Sequence, residues 1–234
     1  MDAGRLVAVP DLPAPLSVTW VVKHLHGSAS TLHEFAPPAQ PERTLCVFET
    51  PSTAFVIGSA QHESQVDSQC ASALDVSIVR RSSGGGAVLL VPGQYVWIDV
   101  WLPSGDALWS DDVVVAADWL GEVLALALTD AQIPSVSVHR GPASNDVWSK
   151  MVCFLGRGPG EVFSDGKKIV GLSQRRTRDW IRFQTIVHRK FSAKLTADLL
   201  TVAVDSEAVA QWQSQVYEIG DLPILDLLRA RLPQ

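Results

Sequence analysis

The stretch Arg80-Arg81-Ser82-Ser83-Gly84-Gly85-Gly86-Ala87-Val88 leaves one apolar run, Asp75 to Val79, and enters another, Ala87 to Val91. Two arginines and three consecutive glycines between apolar runs predict strand, turn, strand. Glycines have no Cβ, so the backbone there can approach a ligand closely and present amide groups to an anion or a carbonyl. The arginines add forked donors where a carboxylate or phosphate would sit. The same composition also suits a mobile hairpin. Farther along, Asp165-Gly166-Lys167-Lys168-Ile169-Val170-Gly171-Leu172-Ser173-Gln174-Arg175-Arg176 places a Gly-Lys-Lys turn before an apolar run, with a lysine at the mouth of a strand. A lysine so placed can polarise a carbonyl or activate a nucleophile, or simply be solvated. Taken together, the two stretches point to an acyl-transfer site.

The pattern is regular from Thr44 onward. Leu45 to Phe48, Ala54 to Ile57 and Val76 to Arg80 read as strands, with a helix over Val66 to Ala73. Tyr95 to Leu102 alternates, with Tyr95, Trp97, Asp99 and Trp101 on one face and Val96, Ile98, Val100 and Leu102 on the other, which is expected to be the core face. Ser110-Asp-Asp starts a predicted long helix that runs to Leu128. Val136 and Val138 open another strand. Glu161 to Ser164 leads into the lysine block, and Ile169 to Leu172 and Trp180 to Val187 read as antiparallel strands around an arginine-rich bend at Arg175 to Arg178. Lys194 to Leu200, Glu207 to Val216 and Leu225 to Leu232 are expected to be terminal helices. Clustered strands with a few helices imply an α+β fold with a mixed or antiparallel central sheet flanked by helices.

Residues 1–43 carry prolines at 10, 13, 15, 37, 38 and 41, which favour extended or turn structure around a short helix at Ser28 to Phe35. His24, His26 and His33 lie there without a carboxylate or cysteine cluster, so no metal site is expected. The chain of 234 residues, 47% apolar and 19% charged, is long enough for one substantial core. A net charge of −6 argues against a general nucleic-acid binder. Nine of the 19 lysines and arginines fall between Lys167 and Lys194 beside one acid, Asp179, and predict a basic face. Cys46, Cys70 and Cys153 form no disulfide or zinc pattern, Met1 to Pro15 has no signal-peptide character, and Val113 to Leu128 is interrupted by Asp118 and Glu122. A cytoplasmic protein that does not engage a membrane is the expectation.

Arg80 to Val88 and Gly166 to Arg176 resemble the two hallmark blocks of the lipoate-protein ligase and octanoyltransferase family, whose catalytic fold, class II synthetase-like, is shared with biotin-protein ligases. The resemblance extends from roughly Thr44 to Arg189. It implies one catalytic domain over residues 44–234, with residues 1–43 packed on it and no large C-terminal accessory domain. It also implies substrate-binding roles for Arg80, Arg81, Ser83, Gly84, Gly85, Gly86, Ala87, Gly171 and Ser173, and a catalytic role for Lys168. The family activates its acyl group in two ways. A ligase makes an acyl-adenylate and uses ATP and magnesium. A transferase moves the acyl group from a carrier-protein thioester to its own cysteine and needs no cofactor. Cys153, in Val152-Cys153-Phe154, is similar in setting to the acyl-accepting cysteine of one octanoyltransferase branch, with Lys168 expected to stabilise its thiolate. An inert core cysteine is the other reading.

The Arg-Asn-Asp triplet of ligases is absent before Lys168, and Asn145-Asp146 stands farther upstream in a different setting. The loop Gly156 to Glu161 departs from the octanoyltransferase pattern. The resemblance thus favours a cysteine-dependent octanoyltransferase, with an ATP-dependent ligase and a non-catalytic lipoyl-, biotin- or acyl-binding paralogue as alternatives. Its implied partners are lipoyl domains of 2-oxoacid dehydrogenases or the glycine-cleavage H protein, with octanoyl-acyl-carrier protein or lipoate as donor. The basic face would meet an acidic carrier domain.

Overall fold

The computed structural model describes residues 19–144 and 146–234. The expectations for the prolines at 10, 13 and 15, for Met1 to Pro15 and for Asn145 lie outside the described residues. The strands are β1 (Val21–His26), β2 (Thr44–Glu49), β3 (Ala54–Ile57), β4 (Ser77–Arg80), β5 (Val88–Leu90), β6 (Tyr95–Pro103), β7 (Val136–Val138), β8 (Val162–Ser164), β9 (Lys167–Arg176) and β10 (Trp180–His188). The helices are α1 (Ala29–His33), α2 (Ser68–Ala73), α3 (Asp118–Asp130), α4 (Ala193–Asp198), α5 (Ser206–Gln215) and α6 (Ile224–Arg231). A seven-stranded mixed sheet runs β1-β2-β6-β10-β9-β8-β7, and a three-stranded sheet runs β4-β3-β5.

Strand β6 lies in the interior of the large sheet, between β2 and β10, and all nine of its residues are buried. Its even-numbered residues, Val96 to Leu102, pack with Leu120, Leu124 and Leu128 of α3 and Leu228 of α6. The opposite face was not expected to be core, yet Tyr95, Trp97 and Trp101 pack there with Cys46, Phe48, Val56 and Leu90. The small sheet and α1 cover that side, which explains a strand that is apolar on both faces apart from Asp99. Asp99 is fully buried and pairs with Arg182 of β10 at 2.5 Å.

The triple-glycine loop does not close a hairpin between neighbours. β3 lies between β4 and β5, parallel to the first and antiparallel to the second, so residues 81–87 cross the end of β3 to join the two. This crossing brings the loop over the large sheet. The predicted antiparallel pair does form: β9 and β10 are in register from Arg176 opposite Ile181 to Val170 opposite Val187. β8 joins β9 through Asp165 and Gly166, both at positive φ, which is the Asp-Gly hairpin turn.

The helix expected from Ser110 starts later, at Asp118, after a 3-10 turn at Val115–Ala117. Asp112 Oδ1 accepts from the amides of Val114 (2.8 Å) and Val115 (3.1 Å) and so caps the turn instead. The intervening Val113-Val114-Val115 run is β-branched and unfavourable in a helix. Before Thr44, the chain forms β1, parallel to β2 at the sheet edge, and α1, capped by Ser28. Both histidines on β1, His24 and His26, are exposed, and His26 meets Glu49 at 3.2 Å.

The basic run does not make one face. Lys168 and Arg182 are interior, and Lys194 pairs with Asp198 at 2.5 Å. Lys167 and Arg175 stand near opposite ends of β9, about 26 Å apart at ~3.3 Å per residue. Among the described residues, no helix is long and apolar enough to cross a membrane.

Candidate active site

The loop from Arg81 to Ala87 is wound around its own arginine. Arg81 is 5% exposed; its Nη1 donates to Val56 O (3.1 Å) and its Nη2 to Gly84 O and Gly86 O (both 2.7 Å). A Cβ on Gly86 would lie 2.7 Å from Val152 N and C and 2.8 Å from Cys153 N, so only glycine admits this approach. The contact is then sealed by main-chain bonds: Ala87 N donates to Met151 O (2.8 Å) and Cys153 N to Ala87 O (3.0 Å). The glycine loop thereby holds Cys153 in place. Arg80 turns the other way, its Nη1 donating to Gly58 O, Ser59 O and Gln61 O, and takes no part in the site. Neighbouring residues along an extended segment face opposite sides, so Arg80 leaves the direction that Arg81 takes.

Lys168 is 1% exposed rather than solvated. Its Nζ donates to Cys153 O (2.8 Å) and Gly156 O (3.3 Å) and pairs with Glu161 Oε1 at 2.5 Å. Glu161 also accepts from the amides of Gly158 (2.6 Å) and Leu172 (3.3 Å). Burial raises the Glu161 carboxyl above its usual range while the Lys168 ammonium opposes the rise. The ammonium therefore bonds the main-chain carbonyl of Cys153 and a carboxylate, where the sequence placed it against the Cys153 thiolate. Behind it, His188 packs on Phe154 with ring centroids 4.4 Å apart, its pKa pulled down to about 3 by burial and by Lys168.

Two cavities meet here. A narrow one of about 30 Å³ runs between the sheets, lined by Val56, Val88, Leu90, Trp97, Phe154 and Ile186, with Arg81, His33 and Gln184 as its polar walls. A wider one of about 310 Å³ is lined by Gly84, Gly85, Gly86, Arg157, Glu161 and Lys168. Cys153, Leu172 and Ser173 line both. Gly171 also borders the narrow cavity, where the Phe154 ring lies 2.9 Å from the position its Cβ would take. Of the expected substrate-binding residues, Ser83 and Ala87 lie behind the walls. Ser83 Oγ donates to Gln184 Oε1 (2.8 Å) and accepts from Ser173 Oγ (3.2 Å), while Ala87 acts through its backbone. Gly84, Gly85 and Gly86 border the wide cavity and not the narrow one.

Glu161, Trp97 and Gln184 were given no site role from the sequence, and His33 was weighed there only as a metal ligand. Glu161 had a usable signal: an Asp-Gly hairpin turn at 165 and 166 sets Phe163 opposite Lys168, which brings the residues just before β8 toward Lys168. His33 had none, because it reaches the site from α1 through the tertiary fold alone. Its ring lies 4.4 Å from that of Trp97, its Nδ1 is 3.3 Å from Gln184 Nε2, and burial, Arg81 and Arg182 pull its pKa down to about 3.

The model of the lipoyl protein ligase A/B catalytic domain matches residues 29–223. The chain belongs to that family. No curated protein matches this chain. Among solved structures, a lipoate-protein ligase A bound with ATP matches with a TM-score of 0.67 at 15% identity, covering 89% of this chain and 81% of that one. A bi-partite lipoate protein ligase from Thermoplasma acidophilum, solved in a study that includes its E2 lipoyl domain, matches at 0.65 and 14% identity over 89% and 80%. The P. falciparum LipL1 in complex with lipoate matches at 0.55 and 10% identity over 91% and 72%. At these identities the likeness establishes the fold, which is the mixed-sheet α+β architecture expected. Lys168 and the glycine loop belong to a lipoate-protein ligase-like catalytic domain.

Proposed function

We propose that this protein attaches an octanoyl or lipoyl group to a lysine of a lipoyl-carrier domain, passing it through a thioester on Cys153. The observation that carries this reading is the place of Cys153 at the junction of the two cavities. An acyl chain in the narrow cavity has its carbonyl at Cys153 and its leaving group in the wide one. The Cys153 thiolate attacks the carbonyl of octanoyl-acyl-carrier protein, the new C–S bond forms, and the carrier leaves as its thiol after taking a proton. The neutral amine of the acceptor lysine then attacks the thioester. A C–N bond forms, the bond to Cys153 breaks, and the amine's proton goes to the departing sulfur. Lys168 holds the Cys153 carbonyl, positions the turn, and supplies positive charge toward the developing oxyanion. Intact mass after incubation with octanoyl-acyl-carrier protein tests this: an octanoyl adduct is expected, and no adduct, or one that survives Cys153→Ala, overturns the cysteine mechanism.

An ATP-dependent lipoate ligase is the second reading, favoured by the size of the wide cavity and by the Arg157 and Lys168 cations and glycine amides on its wall. ATP with magnesium would supply the activated acyl phosphate there, and Gly84 to Gly86, Arg157 and Lys168 are the residues that would hold its phosphates. Lipoate-dependent pyrophosphate exchange decides for it. The neighbour solved in a study with its E2 lipoyl domain supports a lipoyl domain as acceptor.

A further inference from the structure

A third cavity adjoins the narrow one at a single residue. Behind the narrow cavity lies a chamber of about 200 Å³, lined by Phe35, Pro37, Trp101, Trp180 and Arg175. It shares no residue with the wide cavity, and its one shared residue with the narrow cavity is His33. The three therefore stand in series: wide mouth, narrow channel, His33, aromatic chamber. We propose that His33 is the end wall that sets the length of the acyl chain, and that the chamber behind it is a closed-off extension of the channel. This rests on the acyl-site reading above.

The wall is built to stay in place. The His33 ring lies against Trp97, with centroids 4.4 Å apart and planes at 35°, and its Nδ1 faces the Gln184 amide. Its carbonyl accepts from Arg182 Nη1 (2.7 Å) and that of Leu32 from Arg182 Nη2 (2.9 Å), while Arg182 Nε is tied to Asp99. The end of α1 is thus pinned to the floor of the large sheet by one buried guanidinium. The His33 ring also fixes its own protonation state. It is neutral, and Gln184 Oε1 accepts from Ser83, so the Gln184 amide nitrogen donates to His33 Nδ1 and the ring proton sits on Nε2. That Nε2 is buried with no partner among the described residues. A neutral ring is the form compatible with an apolar chain end, whereas an imidazolium would repel it.

Beyond the wall the chamber is mixed in character, with Phe35, Pro37, Trp101 and Trp180 beside Glu34, Arg175, Thr177 and Arg182. Trp101 and Trp180 meet edge to face at 6.2 Å, and Arg182, which also borders the space, has three of its five N–H donors on Asp99, His33 O and Leu32 O. A chain that passed His33 would find the Trp101 and Trp180 rings to cover, so the ring of His33 is the obstruction that limits length.

Binding of free saturated carboxylic acids, from six to fourteen carbons, to the wild-type protein tests the proposal through quenching of tryptophan fluorescence. Wild-type affinity is expected to rise by about fourfold per methylene up to the wall and then to stop rising or fall. His33→Ala should move that break by several carbons, so that the longest acids bind about tenfold or more tighter than to wild type. His33→Asn, shorter than histidine but still able to meet Gln184, should move it the same way and serves if the alanine variant does not fold. His33→Phe refills the space against Trp97 and should keep the wild-type break. No break in wild type, or an unchanged break in the folded alanine or asparagine variant, overturns the wall. If wild type binds none of the acids, the acyl-site reading itself fails, a different outcome from a misplaced wall.

Discussion

Two buried ion pairs of nearly the same length serve this molecule in different ways. Arg182–Asp99 and Lys168–Glu161 each close at 2.5 Å, and all four side chains are nearly or fully buried. Each has a neutral histidine beside it, His33 for the first and His188 for the second. Arg182 spends its remaining donors on the carbonyls of α1, and Asp99 accepts from Trp97 Nε1 at 2.7 Å, so that pair is a brace within the core. Lys168 spends its donors on Cys153 and Gly156, in the wall of an open cavity. A buried charge is costly in either place, so what distinguishes a brace from a working cation is whether its partners belong to packed structure or to a cavity wall.

The largest expected effect breaks the brace. Arg182→Ala leaves Asp99 buried without its counter-ion and should cost about 3–5 kcal/mol in urea unfolding. Replacing both members of the other pair, Lys168→Met with Glu161→Gln, leaves no orphan charge. That variant should unfold close to wild type, while acyl transfer falls by about 10²–10³. If the two pairs lose stability equally and activity equally, the distinction drawn here is wrong.

The histidines provide a pH readout of the same contrast. His188 titrates near 3 in the folded state against 6.5 unfolded, so its contribution is intact above 6.5 and is lost as pH falls toward 3. At pH 5 the loss is about 2 kcal/mol. His188→Phe, among the rings of Phe154 and Phe191, should remove that share of the acid destabilisation, measured by unfolding at pH 5 and 7.5.

Gly86→Ala should cost about 1–3 kcal/mol, because the added carbon meets backbone and not a flexible side-chain tip, and it should reduce Cys153 acylation along with stability. The smallest effect is expected at Arg80→Ala. It should leave acyl transfer within about twofold and cost about 1 kcal/mol for bonds to exposed carbonyls.

Most strands were legible because alternation and turn residues report locally. β3 carries the predicted bounds, and β6 and β10 extend theirs by one residue. The glycine loop was legible as backbone open to close approach by a ligand; in the fold Gly86 lies against the backbone of Val152 and Cys153, and Gly84 to Gly86 line the wide cavity. What periodicity could not report was what stands opposite. It marked one face of β6 as core, yet the small sheet makes the other face core as well. The family resemblance implied that Arg80 and Arg81 act together at the site, yet their side chains diverge, one to the surface and one into the loop's own interior.

From the sequence alone come the strand pattern, the glycine loop and the lysine hairpin, because each depends on the conformational limits of a few neighbouring residues. The tertiary structure alone decided that Lys168 is paired with Glu161, that Cys153 borders two cavities, and that His33 lines the narrow one. Those facts depend on which segments of a folded chain are brought face to face, and burial of apolar surface on both sides of one sheet settles that only when the whole chain has folded.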